Sequence, residues 1–157
     1  MRLLAVVFVA VAALSGPVVA AGASVKPAPF DQPEAIQRWI TTYRTTPAPK
    51  RLPAAVKAMS RLGVAREIDT AGLYIGFVAG VLGANPLLAE KLVADMFPLP
   101  AEDQVIVVRA IAWSGLPEWK EVMGRFVERM PARRVLIDRH LFGKPEMVPA
   151  HWSRQPE

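Results

Sequence analysis

Residues Gly72 to Pro86 read GLYIGFVAGVLGANP, an uncharged stretch in which Gly72, Gly76 and Gly80 recur at every fourth position. Its reading decides the fold. A membrane span needs about 20 apolar residues to cross roughly 30 Å of hydrocarbon. The charge-free window runs from Thr70 to Ala89, but Asn85-Pro86 splits it, and a helix of about 15 residues reaches only about 22 Å. A phosphate-cradling loop is disfavoured as well, because the glycines follow a helical period and no Lys-Ser or Lys-Thr pair follows them. A core helix remains. Glycine inside a helix costs on the order of 1 kcal/mol relative to alanine, so the three oppose this one by about 3 kcal/mol together. Spaced at i, i+4 and i+8, Gly72, Gly76 and Gly80 form one smooth helix-packing groove. The expectation is that a neighbouring helix of the same molecule fills that groove at van der Waals distance. The natural partner is the apolar run VIVVRAIAW, Val105 to Trp113.

Outward from this stretch the pattern is helical throughout. Asp31-Gln32-Pro33-Glu34 reads as a helix start with Asp31 as cap, and Ile36, Trp39, Ile40 and Tyr43 follow on one face. A second helix runs from Arg51 to Gly63, with Leu52, Val56, Met59 and Leu62 inward and Gly63 in the usual C-terminal position. The glycine stretch is the third helix, starting at Asp69 or Thr70 and ending at Ala84. Asn85-Pro86 opens a fourth, carrying Leu88, Leu92, Val93 and Met96. Glu102 and Asp103 place negative charge in the first turn of a fifth, which is apolar nearly all round and therefore central. Trp119, Val122, Met123, Phe126, Val127 and Met130 outline a sixth, and Pro131 opens a seventh that stops at Gly143. The one strand candidate, Val105 to Val108, lies between acidic first-turn residues and Ala110 to Ala112, which favours helix. The fold class is all-α: about seven short helices stacked as antiparallel αα-hairpins. Hairpins starting near Gln32, Thr70 and Ala101, with GANP and SGLP at matching turns, give a weak likeness to αα-hairpin repeat proteins.

Three segments, GFVAGVLGANP, RAIAWSGLPEWK and RMPARR, resemble parts of a group of exported all-helical bacterial proteins to which no activity is assigned. The resemblance implies export and a helical fold. It transfers no site residue.

The chain begins with Arg2, an apolar run from Leu3 to Leu14, and a break at Ser15-Gly16-Pro17 before small residues. That order is the pattern of a secretory signal, with cleavage after Ala20 or, preferably, after Ala23. An uncleaved N-terminal membrane anchor is the alternative. Residues 24–30 are expected to form a flexible leader, 31–143 a single helical domain and 144–157 a loose C-terminal tail. The chain has no cysteine, so an exported fold must draw its stability from a hydrophobic core instead of disulfides. A periplasmic or secreted location follows. The formal charge is +5, and its distribution matters more than its size. No acid occurs between Ala35 and Arg66, whereas Arg38, Arg44, Lys50, Arg51, Lys57, Arg61 and Arg66 do.

Catalytic chemistry finds little support in the residues. His140 and His151 are the only histidines, and Asp138 and His140, two apart on a helix, do not share a face. Ser114 lacks the G-x-S-x-G elbow and reads as a helix end. Glu118 and Glu121 read as a solvated helix face. Arg109, alone among apolar residues, is expected to be buried beside Asp95 or Glu102. No catalytic residue, metal site or cofactor is expected, and nucleic acid is a poor partner for an exported chain. The leading expectation is a non-enzymatic protein-interaction module whose partner is another envelope protein. The alternative is a peripheral binder of anionic lipid or wall polymer through Arg44, Lys50, Arg51, Lys57 and Arg61; an envelope enzyme without a motif ranks third. Trp113 and Trp119, flanking the Gly115-Leu116-Pro117 turn, line either a recognition pocket or a helix contact.

Overall fold

The computed structural model describes residues 29–143. The expected signal segment, nearly all of the leader, the tail and His151 lie outside the described residues.

Prolines and glycines set most helix limits. Helix α1 (Pro33–Thr42), α2 (Leu52–Leu62) and α4 (Pro86–Met96) each carry proline in the first turn, where its missing N–H has no intrahelical acceptor to lose. The expected cap at Asp31 is not formed: Gln32 holds the cap position, no side chain bonds there, and Asp31 is exposed. A 3-10 turn at Pro49–Arg51 leads into α2, which ends at Gly63 with φ 72°, a left-handed conformation glycine adopts without the Cβ clash. Helix α3 spans Ile68–Gly83. A 3-10 turn at Ala101–Asp103 precedes α5 (Gln104–Ala112). Then come α6 (Trp119–Phe126), two further 3-10 turns, and α7 (Arg134–Phe142). The described residues contain no strand, and the all-α class stands.

The helices pair as three hairpins, α1 with α2, α3 with α4 and α5 with α6. The hairpins stack in register. Helix α3 packs on α5 and α5 on α7, while α2 packs on α4; Trp39 and Phe77 join α1 to α3 with ring centroids 5.1 Å apart. Arg125 reaches Glu90 at 3.0 Å between α6 and α4. Odd-numbered helices thus form one layer and even-numbered helices the other. Helix α5 is central, as its composition foretold: Ile106, Val107, Val108, Ala110 and Ile111 are all fully buried.

The pairing of α3 with α5 is the most extensive in the fold, but the glycines do not make it. Tyr74, Ile75, Val78, Ala79, Val81 and Leu82 form the buried arc of α3, and Gly72, Gly76 and Gly80 face solvent. A Cβ added at any of the three meets nothing within 4 Å. The groove expected inside the monomer is therefore open. Burial of a large aliphatic or aromatic side chain contributes about 1.5–3 kcal/mol, and glycine contributes almost nothing, so the helix turns its bulky arc inward. The close approach falls instead at Gly83, where a Cβ would stand 2.0 Å from the Ser114 carbonyl oxygen.

Two further expectations change. Phe30, assigned to the flexible leader, is 7% exposed and packs on Trp39 with centroids 5.2 Å apart, because an aromatic ring gains more by covering the end of the core than by staying in water. Arg109 is exposed, not buried; its guanidinium lies 5.8 Å from the centre of the Trp113 ring. Its supposed partners are engaged elsewhere, Asp95 with Lys91 at 2.9 Å and Glu102 with Arg66 at 3.6 Å. The buried charge is Asp103. Its carboxylate accepts from Arg66 Nε and Nη2 at 2.7 and 2.6 Å and from Ser60 Oγ at 2.6 Å, which ties the end of α2 and the following loop to the start of α5.

Candidate functional site

Among the described residues no helix is long and apolar enough to cross a membrane. The surface of α3 is nevertheless unusual for water. Its outward positions are Asp69, Gly72, Leu73, Gly76, Gly80 and Ala84, so beyond the first turn the face carries no charge. Leu73 is 56% exposed, and Ile68, at the N-terminal end, is almost fully exposed. The C-terminal ends of α3 and α5 meet where Gly83 abuts the Ser114 carbonyl. Trp113, the residue before that carbonyl, is 57% exposed. Gly72, Gly76 and Gly80 share one face, as their spacing implied, but that face is exposed and does not pack on α5.

The glycines keep the floor of this face low, since α1 and α5 flank α3 in the same layer and carry longer side chains. Gln37 of α1 donates to the Tyr74 hydroxyl at 3.4 Å. The inner side of α3 is anchored by aromatic contacts: Phe77 meets Trp39 and Tyr43 edge-on at 5.1 and 5.2 Å. Burial lifts the Tyr43 phenol above its ordinary value, opposed by a hydrogen bond with Asn85.

The basic set of the N-terminal third comes from the turn after α1, the 3-10 turn at Pro49–Arg51 and α2. Arg44 is exposed in the turn after α1, Lys50 is exposed in the 3-10 turn before α2, and Lys57 and Arg61 are exposed on α2. Arg61 donates to the Phe30 carbonyl at 2.7 Å, and the Arg51 guanidinium sits 4.5 Å above the Phe30 ring. These two hold the incoming chain against the core. Lys50 borders a hollow of about 220 Å³ that also contains Asp95 and Lys91.

Among the side chains weighed for catalysis, Ser114 holds a turn. Ser114 Oγ donates to the Ile111 carbonyl at 2.7 Å and accepts from the Leu116 N–H at 3.2 Å, closing the turn after α5. Burial, with Arg109 and Arg139 nearby, holds the His140 imidazole below its ordinary pKa. Glu118 caps the start of α6 by position and Glu121 is exposed. Trp119 is partly buried, with Lys120 Nζ 5.6 Å from its ring centre. Among the described residues no three His, Asp or Glu side chains are grouped to hold a metal.

No protein-family model matches this chain, and neither curated proteins nor solved structures give a match. The functional reading rests on geometry.

Proposed function

We propose that this protein is an exported, non-enzymatic helical-hairpin module that binds another envelope protein through the open face of α3. The occupant it suits is an apolar helix. Gly72, Gly76 and Gly80 provide a flat track along which a second backbone can approach closely, and the absence of charge from Thr70 to Ala89 leaves no ion to desolvate against an apolar partner.

One observation carries the reading. The three glycines oppose helix formation by about 3 kcal/mol, and nothing within the described fold fills the space they leave open. A face that served only solvation would do better with alanine, lysine or glutamate. The anionic-surface alternative has less support, because Arg51 and Arg61 are engaged at Phe30.

The test is Gly76→Leu. Leucine fills the track, yet it projects into open space, so the melting temperature should match or exceed that of wild type. Affinity capture from envelope extracts should retain a defined partner on wild type and lose it on Gly76→Leu. Capture that survives the substitution, or a lowered melting temperature, overturns the reading. Wild type sedimenting as a dimer, with Gly76→Leu a monomer, would replace the envelope partner with a second copy of this chain.

A further inference from the structure

A second groove lies in the even layer, away from the α3 face. Leu87, Glu90, Lys91 and Ala94 fall at i, i+3, i+4 and i+7 of α4 and so form one stripe. Arg125 and Phe126 of α6 stand opposite, with Arg129, which closes the 3-10 turn Val127–Arg129. Between the two walls is a hollow of about 620 Å³. Arg129 also borders a neighbouring hollow of about 440 Å³, lined by Phe97, Pro98, Leu99 and Gln104. The two hollows thus share one arginine.

Arg129 is exposed and has no acidic partner among the described residues. Its guanidinium lies 5.7 and 5.5 Å from the centres of the Phe97 and Phe126 rings, and Nη1 reaches the Ala94 carbonyl at 3.5 Å. Nε and Nη2 remain. The same two donors of Arg66 grip Asp103 elsewhere in this molecule, at 2.7 and 2.6 Å, and their fork matches the two oxygens of a carboxylate. The other charges of the larger hollow are already matched, Arg125 with Glu90 at 3.0 Å and Lys91 with Asp95 at 2.9 Å. One positive charge is left over. It stands between hollows whose apolar walls include Leu87, 99% exposed, on one side and Leu99 on the other.

We propose that this groove binds an extended peptide segment of another protein, with one acidic side chain on Arg129 and an apolar side chain in each hollow. Side chains on one side of an extended chain recur at every second residue, about 7 Å apart, so the pattern required is apolar-x-acidic-x-apolar. A single unpaired cation suits a single carboxylate. A flat anionic bilayer would meet only the rim, and a polymer of repeated charges would find one partner. The groove uses none of the α3 glycines, so either proposal can fail alone.

Fluorescence polarisation of a labelled, end-capped peptide, Leu-Ser-Glu-Ser-Leu, titrated with the purified protein, tests this. Binding should saturate, and replacing the peptide's Glu by Gln should weaken it about tenfold. On Arg129→Gln the two peptides should bind alike, at the affinity wild type shows for the Gln form. Leu87→Asp, at a position outside the core, should keep the wild-type melting temperature and weaken the Glu peptide. Absence of saturable binding, or a preference for Glu that survives Arg129→Gln, overturns the proposal. With the peptide inert, vesicles containing phosphatidylglycerol that bind wild type and not Arg129→Gln would assign the groove to a membrane surface instead, and dimerisation abolished by Leu87→Asp would assign it to a second copy of this chain.

Discussion

At the scale of single residues, Asp103 bears the most electrostatic weight. It is 1% exposed, and its carboxyl is held below the usual carboxylate range by the hydrogen bond from Arg66, which outweighs the opposing effect of burial, with Ser60 adding to the lowering. A carboxyl depressed on folding contributes stability that is present above the unfolded pKa of about 4 and is lost as pH falls through the folded value. Asp103→Asn should therefore destabilise the protein by about 2 kcal/mol at pH 7. The difference from wild type should shrink as pH drops below about 4. Denaturant melts at pH 7 and pH 3 check both parts; an equal difference at the two values would show that packing, not charge, accounts for the loss.

At the scale of elements, α3 holds four glycines under opposite constraints. At Gly83 a Cβ would collide with the backbone carbonyl of Ser114, and the ends of α3 and α5 must separate to admit it. Gly83→Ala should cost about 2–3 kcal/mol. At Gly80, one turn earlier, a Cβ enters open space, and alanine should stabilise by about 1 kcal/mol. Thermal melts of the two variants, identical in chemistry and three residues apart, would separate helix propensity from packing. Destabilisation at both positions would mean that the outer face of α3 is covered in solution.

At the scale of the whole molecule, α5 makes the fold one unit. It touches α3, α6 and α7, so loss of its packing is felt directly by the second hairpin, by its own and by α7. Ile111, fully buried near its end, should cost about 2–5 kcal/mol when replaced by alanine. Unfolding should stay a single transition by circular dichroism and tryptophan fluorescence alike. Separate transitions for α1–α2 and the remainder would show hairpins melting independently.

The helices themselves were legible in the chain. Pro33, Pro86, Gly63 and Gly143 marked limits through local backbone chemistry, and the all-round apolar character of Val105 to Trp113 marked the central helix. Which face of a helix meets which neighbour was less so. The expectation for Gly72, Gly76 and Gly80 treated close packing as the only use for small residues, while the bulky arc of the same helix had more area to bury. Arg109 was expected inside because its sequence neighbours are apolar, but one position of a central helix can still reach the surface. The Ser60–Asp103–Arg66 cluster joins residues from separate elements, and no local pattern foretells such a meeting. Secondary structure and the identity of the central helix depend on interactions within a few residues along the chain, and the sequence by itself determined those. The outward turn of the glycine face and the burial of Asp103 depend on how the described helices compete for one core, and only the tertiary structure decided them.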